Sequence, residues 1–160
     1  MKRISSIFLK TAIICISFAV LAICTLLLPT LWGDVSVEFP SYSYAIYGIF
    51  TSMIVSSIPF FIGMYNAWQL LSLIDKGSAF TKKSATALKI ISLAAASITV
   101  IYLTTLPLFY IWGDRDDAPG LVVIGMFLVG APMVVSVFAL LLHRLISEAA
   151  EIKSENELTV

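Results

Sequence analysis

The sequence predicts an all-α polytopic membrane protein with four transmembrane helices arranged as two tandem hairpins. Three observations lead there. The chain is 59% hydrophobic and 12% charged, with a mean hydropathy of +0.99. Soluble domains carry about 25% charged and about 45–50% apolar residues, and a small one has too much surface to hide so many apolar side chains. The apolar residues also fall into four uncharged blocks, each at least as long as the ~20 residues that cross a bilayer. Finally, the basic residues cluster between and beside those blocks in a strongly uneven way.

The first hairpin occupies residues 7–75. Lys2, Arg3 and Lys10 precede an uncharged run, Thr11–Trp32, which is long for a signal-peptide core and lacks a small-residue cleavage site. It reads as a retained span. Leu21-Ala22-Ile23-Cys24 departs from a lipoprotein box because Ile23 is not small. Gly33–Ser41, with Asp34, Glu38 and Pro40, reads as a short loop. Tyr42–Ile74 is the second span, with Tyr42, Tyr44 and Tyr47 at one interface, Trp68 at the other, and Pro59 as the expected kink.

Residues 75–89 form a polar hinge carrying Lys76, Lys82, Lys83 and Lys89. Gly77 is expected to end the second helix and Thr81 to cap the next. The second hairpin, residues 90–146, holds the spans Ile90–Trp112 and Leu121–Leu142, joined by Gly113–Gly120 with Asp114, Arg115, Asp116 and Asp117. The tail, residues 147–160, continues the fourth helix as an amphipathic tip with Leu142, Leu145, Ile146, Ala149 and Ile152 on one stripe.

With both termini on one side, nine of the ten basic residues share that side and only Arg115 lies opposite. The positive-inside rule then predicts cytoplasmic termini and hinge. Leu28-Pro29 through Trp32-Gly33-Asp34 is echoed by Leu106-Pro107 through Trp112-Gly113-Asp114, and Pro59 by Pro132. The echo reads as a parallel repeat; the alternative is the common way helices end at an outer interface.

Chemistry-bearing groups are sparse. Cys15 and Cys24 stand about 13 Å apart along a helix, too far to bridge. His143, the single histidine, can build neither a triad nor a metal cage and is expected to face the inner interface. Asp114, Asp116 and Asp117 read as a solvated loop before they read as a cation site. No span carries an Asp, Glu, Lys or Arg near its middle, which argues against ion-coupled carriers. Neither a nucleophile elbow nor a phosphate loop is present, so the expectation is a non-enzymatic protein with no cofactor and no bound metal. Gly48, Ser52 and Ser56 on the second helix, and Ser92 and Ala96 on the third, form small stripes that let helices approach. Tyr65, Asn66 and Gln69 form a candidate intramembrane polar cluster. The basic hinge and acidic tail offer a candidate interaction surface of Phe80, Thr81, Lys82, Lys83, Glu151, Glu155 and Asn156.

Gly77-x-x-Phe80-Thr81 and the ending Glu155-Asn156-Glu157-Leu158-Thr159-Val160 resemble domain-of-unknown-function family 2975, small bacterial membrane proteins with four predicted helices. The resemblance implies no particular activity. It implies a small helix-turn-helix regulator as a partner, since such genes often lie beside those of the family. The functional expectation is therefore a regulatory or sensory membrane protein acting through its hinge and tail. The alternative is a small transport or permeability protein with a polar path between helices. The lipid bilayer, a regulator or another membrane protein, and a second copy of the chain are the expected partners; direct nucleic-acid binding is not.

Overall fold

The computed structural model describes residues 2–158, with side chains from 6 to 155 except Ser36. Within them the chain is all α: α1 (Lys2–Ala22), a π turn (Ile23–Leu27), α2 (Leu28–Glu38), α3 (Ser43–Asp75), α4 (Lys82–Arg115) and α5 (Gly120–Leu158). Four helices are long and apolar enough to cross a membrane, the first of them formed by α1, the π turn and α2 together.

The first helix runs further than the sequence predicts. Gly33–Ser41 is not a loop: α2 continues through Gly33 to Glu38, and only residues 39–42 turn. The Leu28–Asp34 motif therefore lies inside the rod and does not end it. Pro29 stays helical because it sits just after the π turn, where Leu28 N–H already reaches back to the Ile23 carbonyl. Thr30 Oγ1 donates to the carbonyls of Leu26 and Leu27 at 3.1 and 2.8 Å, repairing part of the disturbed ladder.

The other helix ends are capped as polar chain ends in lipid require. Gly77, at φ +72°, closes α3 in a Schellman motif: Gly77 N–H donates to Ile74 O and Ser78 N–H to Leu73 O. Asp117, at φ +50°, closes α4 the same way, with Ala118 N–H on Gly113 O. The α4–α5 turn is thus shorter than Gly113–Gly120, since α4 runs to Arg115.

Close backbone approach joins consecutive helices: α1 and α2 to α3, α3 to α4, and α4 to α5. The pairing is uneven. α3–α4 and α4–α5 pack along most of their length, while α1 touches α3 lightly. α3 and α4 are the central pair, a third of their spanning window being buried against 6% for the first rod and α5. A core of Leu28, Val35, Ile46, Ile49, Phe50, Tyr102 and Phe109 joins α2, α3 and α4 toward the end of the bundle that carries the two short turns. There Tyr42 Oη donates to Asp116 Oδ1 at 3.2 Å, tying one turn to the other. Partial burial, then the charge and hydrogen bond of Asp116 and the charge of Glu38, push the Tyr42 phenol above its ordinary range. It therefore remains a protonated donor at neutral pH, and the bond is lost only as pH rises through that elevated value. At the other end Lys10 Nζ pairs with Asp75 at 2.5 Å and lies over the Trp68 ring, holding the start of α1 to the end of α3.

The small stripe of α3 faces α4. A Cβ on Gly48 would meet Leu108 Cδ1, Ser52 is buried, and Ser56 Oγ meets Tyr102 Oη at 3.1 Å. Ser52→Leu is expected to destabilise the bundle by about 1–2 kcal/mol, because a larger side chain wedges the central helices apart. Reversible unfolding in mixed micelles checks this; an unchanged midpoint would place Ser52 against lipid.

Candidate functional site

The hinge is a built structure. Thr81, extended at φ −134° and ψ 157°, caps α4 by accepting from Ser84 N–H at 3.4 Å, and its own hydroxyl donates to Ser78 O at 3.1 Å. Ser84 is fully buried, and its hydroxyl also donates to Ser78 O at 3.1 Å. The carbonyl that follows the Schellman turn is thereby held by two hydroxyls, which fixes the angle between the end of α3 and the start of α4. Ser84 has no place in the sequence-based site, because a serine three residues after a capping Thr does not complete a capping box.

On this frame Lys82, Lys83 and Thr86 of α4 meet Asn66 and Gln69 of α3 around a recess of about 350 Å³. Asn66 is 93% buried, and its Nδ2 donates to Ile62 O at 2.8 Å. Lys82 and Lys83 are exposed, and neither has a carboxylate partner among the described residues. Both ammonium groups stand in the first turn of a helix of 34 residues with no acid there. Their charge adds to the positive end of the helix dipole, so the recess concentrates positive potential and favours an incoming anionic group.

The structure thus joins two sets that the sequence presented separately, the Asn66–Gln69 pair and the hinge lysines. Tyr65 does not join them. It is 69% exposed and lines a shallow groove with Trp68 and residues of α1, because successive positions on a helix point about 100° apart. Phe80 is exposed at the turn before the cap and does not line the recess. In the tail, Glu151 and Glu155 are exposed one turn apart, while the side chain of Asn156 lies outside the described residues, as do Thr159 and Val160.

The tail stripe differs from expectation. Leu142, Ile146 and Ala149 of that stripe are half-buried, but Leu145 and Ile152 are exposed; Ala139 and Ala150 are buried and His143 half-buried. Small side chains let α5 lie close on α4, which turns the larger apolar ones outward. His143 does more than face the interface: its Nδ1–H donates to Ala85 O at 2.7 Å, pinning α5 one turn into α4. α5 runs antiparallel to α4 here, so the residues after Ile146 extend beyond the start of α4, next to the hinge.

Among the described residues no group of three or more His, Cys, Asp or Glu is placed to hold a metal ion. The chain matches a family described as protein of unknown function, DUF2975, over residues 30–160. It is 44% identical to the uncharacterized membrane protein YoaS of Bacillus subtilis strain 168, over the whole length of both chains. No solved structure matches the chain.

Proposed function

Because the chain belongs to the DUF2975 family and spans a membrane, we propose that it is a non-enzymatic regulatory or sensory protein working through its hinge and tail on the cytoplasmic face of a bacterial membrane. The supporting observation is the braced recess in which Lys82 and Lys83 crown the start of α4 without a carboxylate partner among the described residues. Such a recess takes an acidic segment reversibly. Exposed ion pairs contribute only about 0–1 kcal/mol each and weaken with salt, so several weak contacts can form and be displaced. The acidic tail continues α5 past the start of α4, on the same side of the bundle as these lysines, and a partner with a similar acidic surface competes for them. A small cytoplasmic regulator fits that description. The orientation rests on the clustering of basic residues at the hinge and termini.

The test is complementation of a strain lacking the gene, read by its transcript profile. At normal membrane abundance, the double variant Lys82→Gln, Lys83→Gln and the truncation lacking Ser154–Val160 are each expected to leave the profile of the deletion strain. Full restoration by both removes hinge and tail from the mechanism. Loss of complementation confined to Asn66→Leu would instead favour the transport reading, in which the polar pair on α3 lines a path.

A further inference from the structure

Three helices depart from regularity at one depth of the bundle: the π turn at Ile23–Leu27, Pro59 in α3 and Pro132 in α5. A cavity of about 550 Å³ lies among them, within the ~300–1,000 Å³ of small-molecule sites. Its floor is Ser56 and Ser57 of α3 with Tyr102 of α4; Cys24 of the π turn stands on one wall, and Phe127 and Pro132 of α5 on the other. α1 and α5 make no close backbone approach among the described residues, so the cavity faces the bilayer between them. A π turn inside a helix is often found at a functional site.

The polar atoms of the floor restrict what can bind. Ser57 Oγ donates to Ile54 O at 2.6 Å, and Ser56 Oγ donates to Met53 O at 3.0 Å. Tyr102 Oη, 3.1 Å from Ser56 Oγ, then gives its proton to that oxygen. Every hydroxyl proton is committed, and what the floor still offers is the acceptor capacity of the Tyr102 oxygen. Pro132, lacking an N–H, also leaves the carbonyl of Leu128, another lining residue, without its usual helical donor. No charged side chain lines the space. A carboxylate or phosphate would be buried there with only the weak Cys24 S–H to donate to it, which is strongly unfavourable. A hydroxyl on a hydrocarbon chain supplies the missing donor.

We propose that this cavity binds a neutral long-chain lipid alcohol from the bilayer, the chain lying between α1 and α5 and the hydroxyl donating to the acceptors of the floor. The site is separate from the hinge recess and does not depend on how that recess works.

The test uses the full chain in lipid nanodiscs with a diazirine-bearing hexadecanol and the matching hexadecanoic acid, the cross-links being mapped by peptide mass spectrometry. The alcohol is expected to label peptides around Cys24 and Phe127 saturably, with unlabelled hexadecanol competing and hexadecanoate failing to compete. Tyr102→Phe keeps the ring and leaves Ser56 bonded to Met53 O. It should weaken competition by about five-fold, the worth of one hydrogen bond, and lower the unfolding midpoint no further than the loss of the single Ser56–Tyr102 bond does. Labelling spread over the outward faces of α1 and α5 and not competed by hexadecanol overturns the site. Equal competition by the acid, or unaltered competition in Tyr102→Phe, overturns the proposed ligand class.

Discussion

Ser92→Leu is expected to be among the most damaging single changes in the membrane region, costing about 2–4 kcal/mol. Ser92 is buried where α4 meets α5. Its hydroxyl donates to Ser136 O at 2.9 Å, and Ser136 Oγ returns a bond to Ser92 O at 2.9 Å. The two serines thus form a reciprocal clamp across the most extensive helix pair in the fold. Leucine removes one bond, costs the other its geometry, and adds volume where the backbones are closest. Interhelical hydrogen bonds in membranes average about 0.6 kcal/mol, so most of the predicted loss is overpacking. Ser92→Ala, which loses the bond without adding bulk, should accordingly cost only about 1 kcal/mol. Reversible unfolding in mixed micelles separates the two variants, and equal losses would show that the clamp and not the close approach holds the pair.

Gly125→Leu should cost about 2–3 kcal/mol for a purely steric reason. Gly125 is buried in the first third of α5, where a Cβ would stand 3.0 Å from Phe109 Cγ, 3.2 Å from Phe109 Cβ and 3.0 Å from Leu106 Cδ1. The leucine tip can swing aside, but the base of a buried phenylalanine cannot. Gly130→Leu in the same helix is the control, since a Cβ there meets nothing within 4 Å. It should be neutral or slightly stabilising, because leucine prefers a helix to glycine by up to about 1 kcal/mol. Similar losses at both positions would mean that α5 tolerates neither change for reasons unrelated to α4.

The number and order of the spans were legible because charge is so costly in lipid that it punctuates the sequence. Gly77 and Thr81 were legible too, since a left-handed cap and an N-cap each demand particular residue types. The continuation of α2 past Pro29 and Gly33 was not. Both residues read as breakers, and only the π turn, with Thr30 serving two carbonyls, makes them compatible with a helix. Tail packing was misread in part, at Leu145 and Ile152, for a related reason. A stripe of large apolar residues signals burial in water, but in a bilayer the small residues Ala139 and Ala150 mark the contact and Leu145 faces outward. Half of the candidate site was legible. Lys82, Lys83, Asn66 and Gln69 stood out as polar groups, yet their meeting depends on the angle set by Ser78, Thr81 and Ser84, which no local pattern specifies. The Ser56–Tyr102 pair lay hidden because the two residues are 46 positions apart and each alone looks like ordinary interhelical contact.

The functional account requires the hinge and tail to share the cytoplasm, and site-directed labelling tests that most directly. In a chain carrying Cys15→Ala and Cys24→Ala, single cysteines are placed at the exposed positions Ser41, Asp114, Lys76 and Glu151. An impermeant maleimide added to intact spheroplasts is predicted to label Ser41→Cys and Asp114→Cys, and to label Lys76→Cys and Glu151→Cys only after the membrane is opened. Labelling of Lys76→Cys or Glu151→Cys in intact spheroplasts, to the level of Ser41→Cys, would contradict the account.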